Sequence, residues 1–348
     1  MNKNINKYFL LAGIAGLLIA LGATAGALVK QSYTFPIVSV GVIVAIFAVA
    51  NAAAAAKKTT KAADIKAQRE KELAELDTEK LDRLAEYVLE RAKKKAIRIK
   101  AEKCETTTVY DSKFGGVPYW DAAEKYPENS KGERLALLAQ INFADIKSSL
   151  LPAESGILQI FANDEDDLVG CDYSAPSTQE NYRVIYHKNL IETDERTVRA
   201  AGAKVNTDRA GDKDYLYPFE AVYKLCFEEF DDYPSFGEDE CDGYFADALK
   251  ELYGENLVEG SVWKTFNRTE YGYLAEKFGE WGHKMFGYAD FTQSDPREAG
   301  SEYDTQLLQI DSIDDIMWGD CGVANFLING EKLKNLDFSD VFYSWDCY

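Results

Sequence analysis

Leu138-Ala139-Gln140-Ile141-Asn142 returns late in the chain as Leu307-Leu308-Gln309-Ile310-Asp311. The flanks of this phrase repeat as well. Phe114-Gly115-Gly116 ends 24 residues before Gln140, Phe286-Gly287 ends 22 before Gln309, and a glycine opens an apolar run after each, at Gly156 and Gly322. Each copy therefore reads as a Gly-bearing turn, a buried strand ending in Gln-Ile-Asn/Asp, and a second strand, 157–161 or 323–328. Further apolar runs at 135–141, 182–186 and 221–227, bounded by Gly, Pro and Asp, have the same short-strand character. Helical patterns are fewer: 245–253, with apolar i, i+3, i+4 spacing before Gly254, and 269–281. The fold class that follows is α+β, with a β-rich, pseudo-duplicated globular core.

The chain has 348 residues and a net charge of −20, unevenly divided. Residues 1–104 hold 18 Lys and Arg against 10 Asp and Glu, whereas 105–348 hold 21 against 49, a net −28. An acidic surface of that size repels nucleic acid and anionic lipid and steers basic partners toward itself. Six scattered cysteines show no C-x-x-C pair. That spacing argues against a zinc site and fits a reducing compartment, although the even count leaves disulfides open.

The amino-terminal region splits into three. Residues 8–29 and 36–56 carry no charge. Each run is long enough to cross a hydrocarbon core as a helix, so a two-helix transmembrane hairpin is predicted for 1–56, in contact with membrane lipid. Lysines outnumber acids at both outer flanks, which by the positive-inside rule places both ends and the globular domain in the cytoplasm of a two-span membrane protein. A cleaved signal peptide ending near Ala23-Thr24-Ala25 is the competing reading. Residues 57–104 lack Pro and Gly until the end of the run and are rich in Ala, Lys, Glu, Leu and Arg, predicting one long charged helical stalk. Its basic cluster, Arg91 to Lys103, suits anionic lipid, the acidic domain that follows, or solvent.

Catalytic signatures are scarce. The chain has two histidines, His187 and His283, and no nucleophile elbow, P-loop or dinucleotide fingerprint. Cys321 with one of the histidines is a conceivable nucleophilic pair, but a free cysteine is usually a small buried hydrophobe. The acidic run 163–167 lacks the central Gly and distal Glu of an EF-hand loop and reads as a solvated hairpin tip. No metal or cofactor is expected. The residues that the repeat brings together are Gln140 and Asn142 of the first copy with Gln293, Asp295, Arg297, Gln309, Asp311, Trp318 and Asp320 of the second. A pair of Arg297 with Asp311 or Asp320 reads first as structural; in the alternative reading all of these residues are the candidate lining of a binding cleft between the copies.

Several words in this region, Ser112-Lys113-Phe114-Gly115-Gly116-Val117-Pro118-Tyr119, 137–143, 156–161, Phe291-Thr292-Gln293-Ser294-Asp295-Pro296-Arg297, Met317-Trp318-Gly319-Asp320 and the ending from Leu336 to Cys347, resemble the bacterial YwqG-like family over residues 108–348. The resemblance implies a β-rich α+β fold and brings no activity, because that family is a domain of unknown function. Similar domains occur among immunity proteins of toxin systems. By that analogy the expected function is non-catalytic binding of a protein partner, such as a basic toxin domain, at the membrane; a small-molecule sensor or enzyme in the cleft is the alternative.

Overall fold

The computed structural model describes residues 76–212, 215–236, 239–278, 282–298 and 300–348. The folded unit begins at Thr78. In chain order it holds helix α1 (Thr78–Arg91), strands β1 (Lys94–Cys104), β2 (Lys113–Phe114), β3 (Ala136–Asn142), β4 (Ile157–Ala162) and β5 (Tyr182–His187), then helix α2 (Glu195–Ala200). The second half holds β6 (Val222–Asp232), helices α3 (Asp239–Tyr253), α4 (Val262–Thr265) and α5 (Arg268–Ala275), β7 (His283–Phe286), β8 (Thr305–Asp311), β9 (Val323–Ile328), helix α6 (Gly330–Lys334) and β10 (Val341–Asp346). All ten strands form one sheet in the order β10-β9-β8-β7-β1-β6-β2-β3-β4-β5.

That order exposes the duplication. β1 to β5 and β6 to β10 are equivalent five-strand units, each unit's first strand lying beside the other's second, so β1 joins β7 and β6 joins β2. β1 and β6, of 11 residues each, pair antiparallel along their full length at the centre. β3 and β8 carry a register shift at the same place, around Leu138 and Leu307. Gly115 and Gly116, at φ 67° and 75°, are matched by Phe286 and Gly287 at φ 64° and 73°. The glycine pairing expected from sequence therefore holds at Gly116 and Gly287, but Phe114 is matched by Met285, and Phe286 takes a left-handed backbone where the first copy has glycine.

The sheet curls until its edges nearly close a barrel. Tyr182 of β5 donates its hydroxyl hydrogen bond to Val341 O of β10, the Tyr343 amide donates to Pro176 O at 2.9 Å, and the rings of Tyr182 and Tyr343 lie 5.2 Å apart. Ile97, Ile99, Phe114, Leu138, Ile160, Met285, Leu308 and Phe326 fill one continuous apolar core, each at most 3% exposed. Burial of this many large apolar side chains on one face is the main stabilising term.

Three expectations need correction. The stalk over 57–104 is not one helix. Helix α1 stops at Arg91, and 94–104 form the central strand, because Ile97, Ile99 and Ala101 alternate with Arg98, Lys100 and Glu102. That period of two matches a pleated strand with one buried face and overrides the helix propensity of the lysines. The domain boundary at 105 falls with it. The basic cluster is likewise accounted for within the sheet: Lys93 and Lys95 pair with Asp231 of β6 at 3.0 and 2.8 Å, and Lys100 with Glu228 at 3.4 Å.

The fold class and localisation predicted a transmembrane hairpin and a multi-pass membrane protein with a cytoplasmic domain. No helix among the described residues is long and apolar enough to cross a membrane. The longest, α3, has 15 residues, against about 20 needed for a span. The proposed spans 8–29 and 36–56 lie outside the described residues, so the membrane assignment has no structural support.

Candidate functional site

Of the nine residues expected to line a cleft, Asp295 and Arg297 line a small cavity of about 30 Å³ with Tyr288 and Phe291, whereas the two strand glutamines stand apart in the sheet. Gln140 and Gln309 occupy equivalent positions on β3 and β8, with four strands between them. Both are fully buried. The Gln140 amide donates to Val109 O and Asp111 O, each at 2.8 Å, and accepts from Tyr119 N and Gln159 Nε2 at 2.8 and 2.7 Å. Gln309 donates to Gly282 O and Asp290 Oδ2 at 2.9 Å and accepts from Asp290 N at 2.9 Å. Each is a clamp that fastens the loop after the Gly-bearing turn onto the sheet, and an amide so used has little hydrogen-bonding capacity left for a ligand. Asn142 caps the short turn after β3, accepting from Ala144 N.

Arg297 pairs with neither Asp311 nor Asp320. It forms a bidentate pair with Asp295, two residues away, through Nε at 3.0 Å and Nη2 at 2.6 Å, and its Nη1 donates to Tyr303 O. The Asp-Pro-Arg turn brings the guanidinium back onto its own loop, so the local partner wins over the distant ones. Gln293 donates to Cys347 O, Asp320 is exposed, and Trp318 is buried against Trp345 with ring centroids 5.8 Å apart. Asp311 is buried, which raises its carboxyl pKa, and its Oδ1 accepts from Ser312 N. Cys321 stands exposed before β9. His187 is bonded to Gln159, and His283 Nδ1 accepts from Asp311 N, so neither histidine is paired to that thiol. None of the six cysteines forms a disulfide. In the acidic run 163–167 Asp164 is buried and ion-paired to Lys204 rather than solvated at a tip.

Two buried lysines, unremarked in the sequence because each is a single Lys in a strand, sit at equivalent positions. Lys284 lies opposite Gln309 and Lys113 opposite Gln140. Lys284 reaches Asp290 at 2.9 Å and Asp232 at 3.2 Å, and Asp232 also accepts from Tyr288 N at 2.8 Å. Burial lowers the Lys284 pKa, but the two carboxylates outweigh it and raise the value, while burial pushes Asp232 upward. Among the described residues Lys113 has no such pair. Its ammonium donates to Thr108 O at 2.7 Å, and desolvation lowers its pKa to about 8.

What faces solvent is different in character. Along the line where β10 meets β5, Tyr173 is 57% exposed with its hydroxyl fixed on Trp345 O at 2.8 Å. Leu168 and Tyr348 are also exposed there: Trp345 Nε1 donates to Leu168 O, and Tyr348 N to Asp320 O. Asp166, Asp167 and Asp172 are exposed on the same loops, and the charges of Asp346 and Asp167 help raise the Tyr173 pKa, behind desolvation. Aromatic faces ringed by carboxylates can receive cations by charge and by cation–π contact.

Residues 112–347 match a family model described as a domain of unknown function, DUF1963. No curated protein matches the chain.

Proposed function

Because the chain belongs to the DUF1963 family, a domain of unknown function, we propose a reading drawn from its own surface: a non-catalytic module that binds a basic protein partner. The observation that carries it is the exposed seam of Tyr173, Leu168 and Tyr348 among Asp166, Asp167 and Asp172. Exposed aromatic side chains supply large rigid contact area, and the surrounding carboxylates select cationic partners and speed encounter. The net charge supports this, since the folded unit from Thr78 onward holds 30 Lys and Arg against 54 Asp and Glu. Gln140 and Gln309, spent as internal clamps, have little hydrogen-bonding capacity left for a substrate. Resemblance to YwqG-like domains and, through them, to immunity proteins agrees with a toxin-like basic partner.

The test is a titration of the full-length chain with arginine-rich and acidic peptides of equal length at low and high salt. The expected result is saturable binding of the arginine-rich peptide alone, weakened by salt. Tyr173→Ser and Asp172→Asn should weaken it further. Equal binding of both peptides, or indifference to both substitutions, overturns the proposal.

A further inference from the structure

Ser112 and His283 occupy the same position in the two repeats, each immediately before a buried lysine that faces the clamp glutamine. They perform the same backbone task. Ser112 Oγ accepts from Asn142 N at 2.9 Å, and His283 Nδ1 accepts from the equivalent Asp311 N at 2.9 Å. The remaining capacity of the two side chains differs. Ser112 uses its proton on Asp145 Oδ2 at 2.7 Å. A histidine that accepts at Nδ1 carries its proton on Nε2, and among the described residues that donor has no hydrogen-bond acceptor; the ring stands nearly perpendicular to that of Phe114, 5.2 Å between centroids. Serine suffices for the backbone bond, so the imidazole offers a second group that the fold does not consume.

His283 is 3% exposed and forms a wall of a cavity of about 240 Å³. The other walls include Ile99 and Ala101 of β1, Tyr223 of β6, and Ile313 and Ile316 of the loop after β8, and the charged residues Arg98, Lys100 and Asp314 also border it. The Lys103–Asp315 ion pair, at 2.9 Å, ties that loop to β1. Apolar cavities of about 150 Å³ hold benzene, so this one has room for a one-ring molecule with a substituent. With Nδ1 occupied, what His283 can present to the cavity is Nε2–H. We propose that the cavity is a binding site for a small, mainly apolar molecule bearing a hydrogen-bond acceptor, which His283 Nε2–H receives. Burial keeps the imidazole neutral by lowering its pKa to about 4, so the donor persists at neutral pH. The site shares no residue with the acidic seam and stands or falls apart from it.

Acetophenone and ethylbenzene, nearly equal in shape and differing in the acceptor oxygen, are the probes. Titrated into the full-length chain, acetophenone should bind saturably and about fivefold more tightly than ethylbenzene, the worth of one net hydrogen bond. The His283 Nε2 resonance should shift on saturation. His283→Ser, which copies the first repeat, should abolish the fivefold preference, and Ile316→Phe should fill the cavity and remove binding of both probes. Absence of saturable binding, equal affinity for the two probes, or an unchanged preference in His283→Ser overturns the proposal. If that variant fails to fold, an unshifted Nε2 signal in the saturated wild-type chain does the same.

Discussion

At Gly287 the backbone sits at φ 73°, and an added Cβ would lie 2.1 Å from Asp232 Oδ2. A side chain there would both strain the turn and push apart the carboxylate that holds Lys284. Gly287→Ala should therefore destabilise the fold by more than the usual ~1 kcal/mol of a left-handed alanine, read from urea unfolding. Removing the cation itself strands two buried carboxylates: Lys284→Met should cost about 3–5 kcal/mol in the same measurement. Lys113 behaves oppositely. Its folded pKa, about 8, lies below the ordinary lysine value, so its contribution is fully present above that ordinary value and is lost as pH falls through about 8. Between pH 8 and 10.5 the wild-type chain should gain stability relative to Lys113→Met, by roughly 3 kcal/mol in all. A flat difference across that window would show that Lys113 is not desolvated.

At the scale of elements, β1 joins the two repeats. It pairs with β6 on one side and β7 on the other and sends Ile97 and Ile99 into the core. A fragment of residues 105–348 lacks this strand and leaves two unpaired edges in the middle of the sheet. It should show no cooperative thermal transition by circular dichroism, whereas residues 78–348 should melt cooperatively. Ile99→Ala alone should cost about 2–5 kcal/mol, because the space beneath a central strand cannot collapse freely. The strand was legible in the alternation of Ile97, Ile99 and Ala101 with charged neighbours, but the surrounding run of strong helix formers hid it. The other strands were easier to read: 136–142, 157–162, 182–187 and 323–328 are bounded by turns and lack competing helical periodicity.

For the whole molecule, the decisive event is the curling of the sheet until β5 meets β10. The Tyr182 hydroxyl donates to Val341 O, with Pro176 O also 2.9 Å away, and so stitches the edges. Tyr182→Phe should loosen that seam by about 1 kcal/mol, seen as a lower urea midpoint, since it removes the hydroxyl hydrogen bond to Val341 O across the seam. The amino-acid sequence by itself determined the duplication, the acidic character and most strand positions, because repeated words, charge counts and apolar runs are local properties of the chain. It did not determine which residues meet. Arg297 turned to Asp295, Gln140 and Gln309 became internal clamps, and His283 came to wall a cavity with β1 and β6, because cross-strand register and loop closure set those distances. Only the tertiary structure, which exchanges the first strands of the two repeats, decided what was buried as support and what was left for binding.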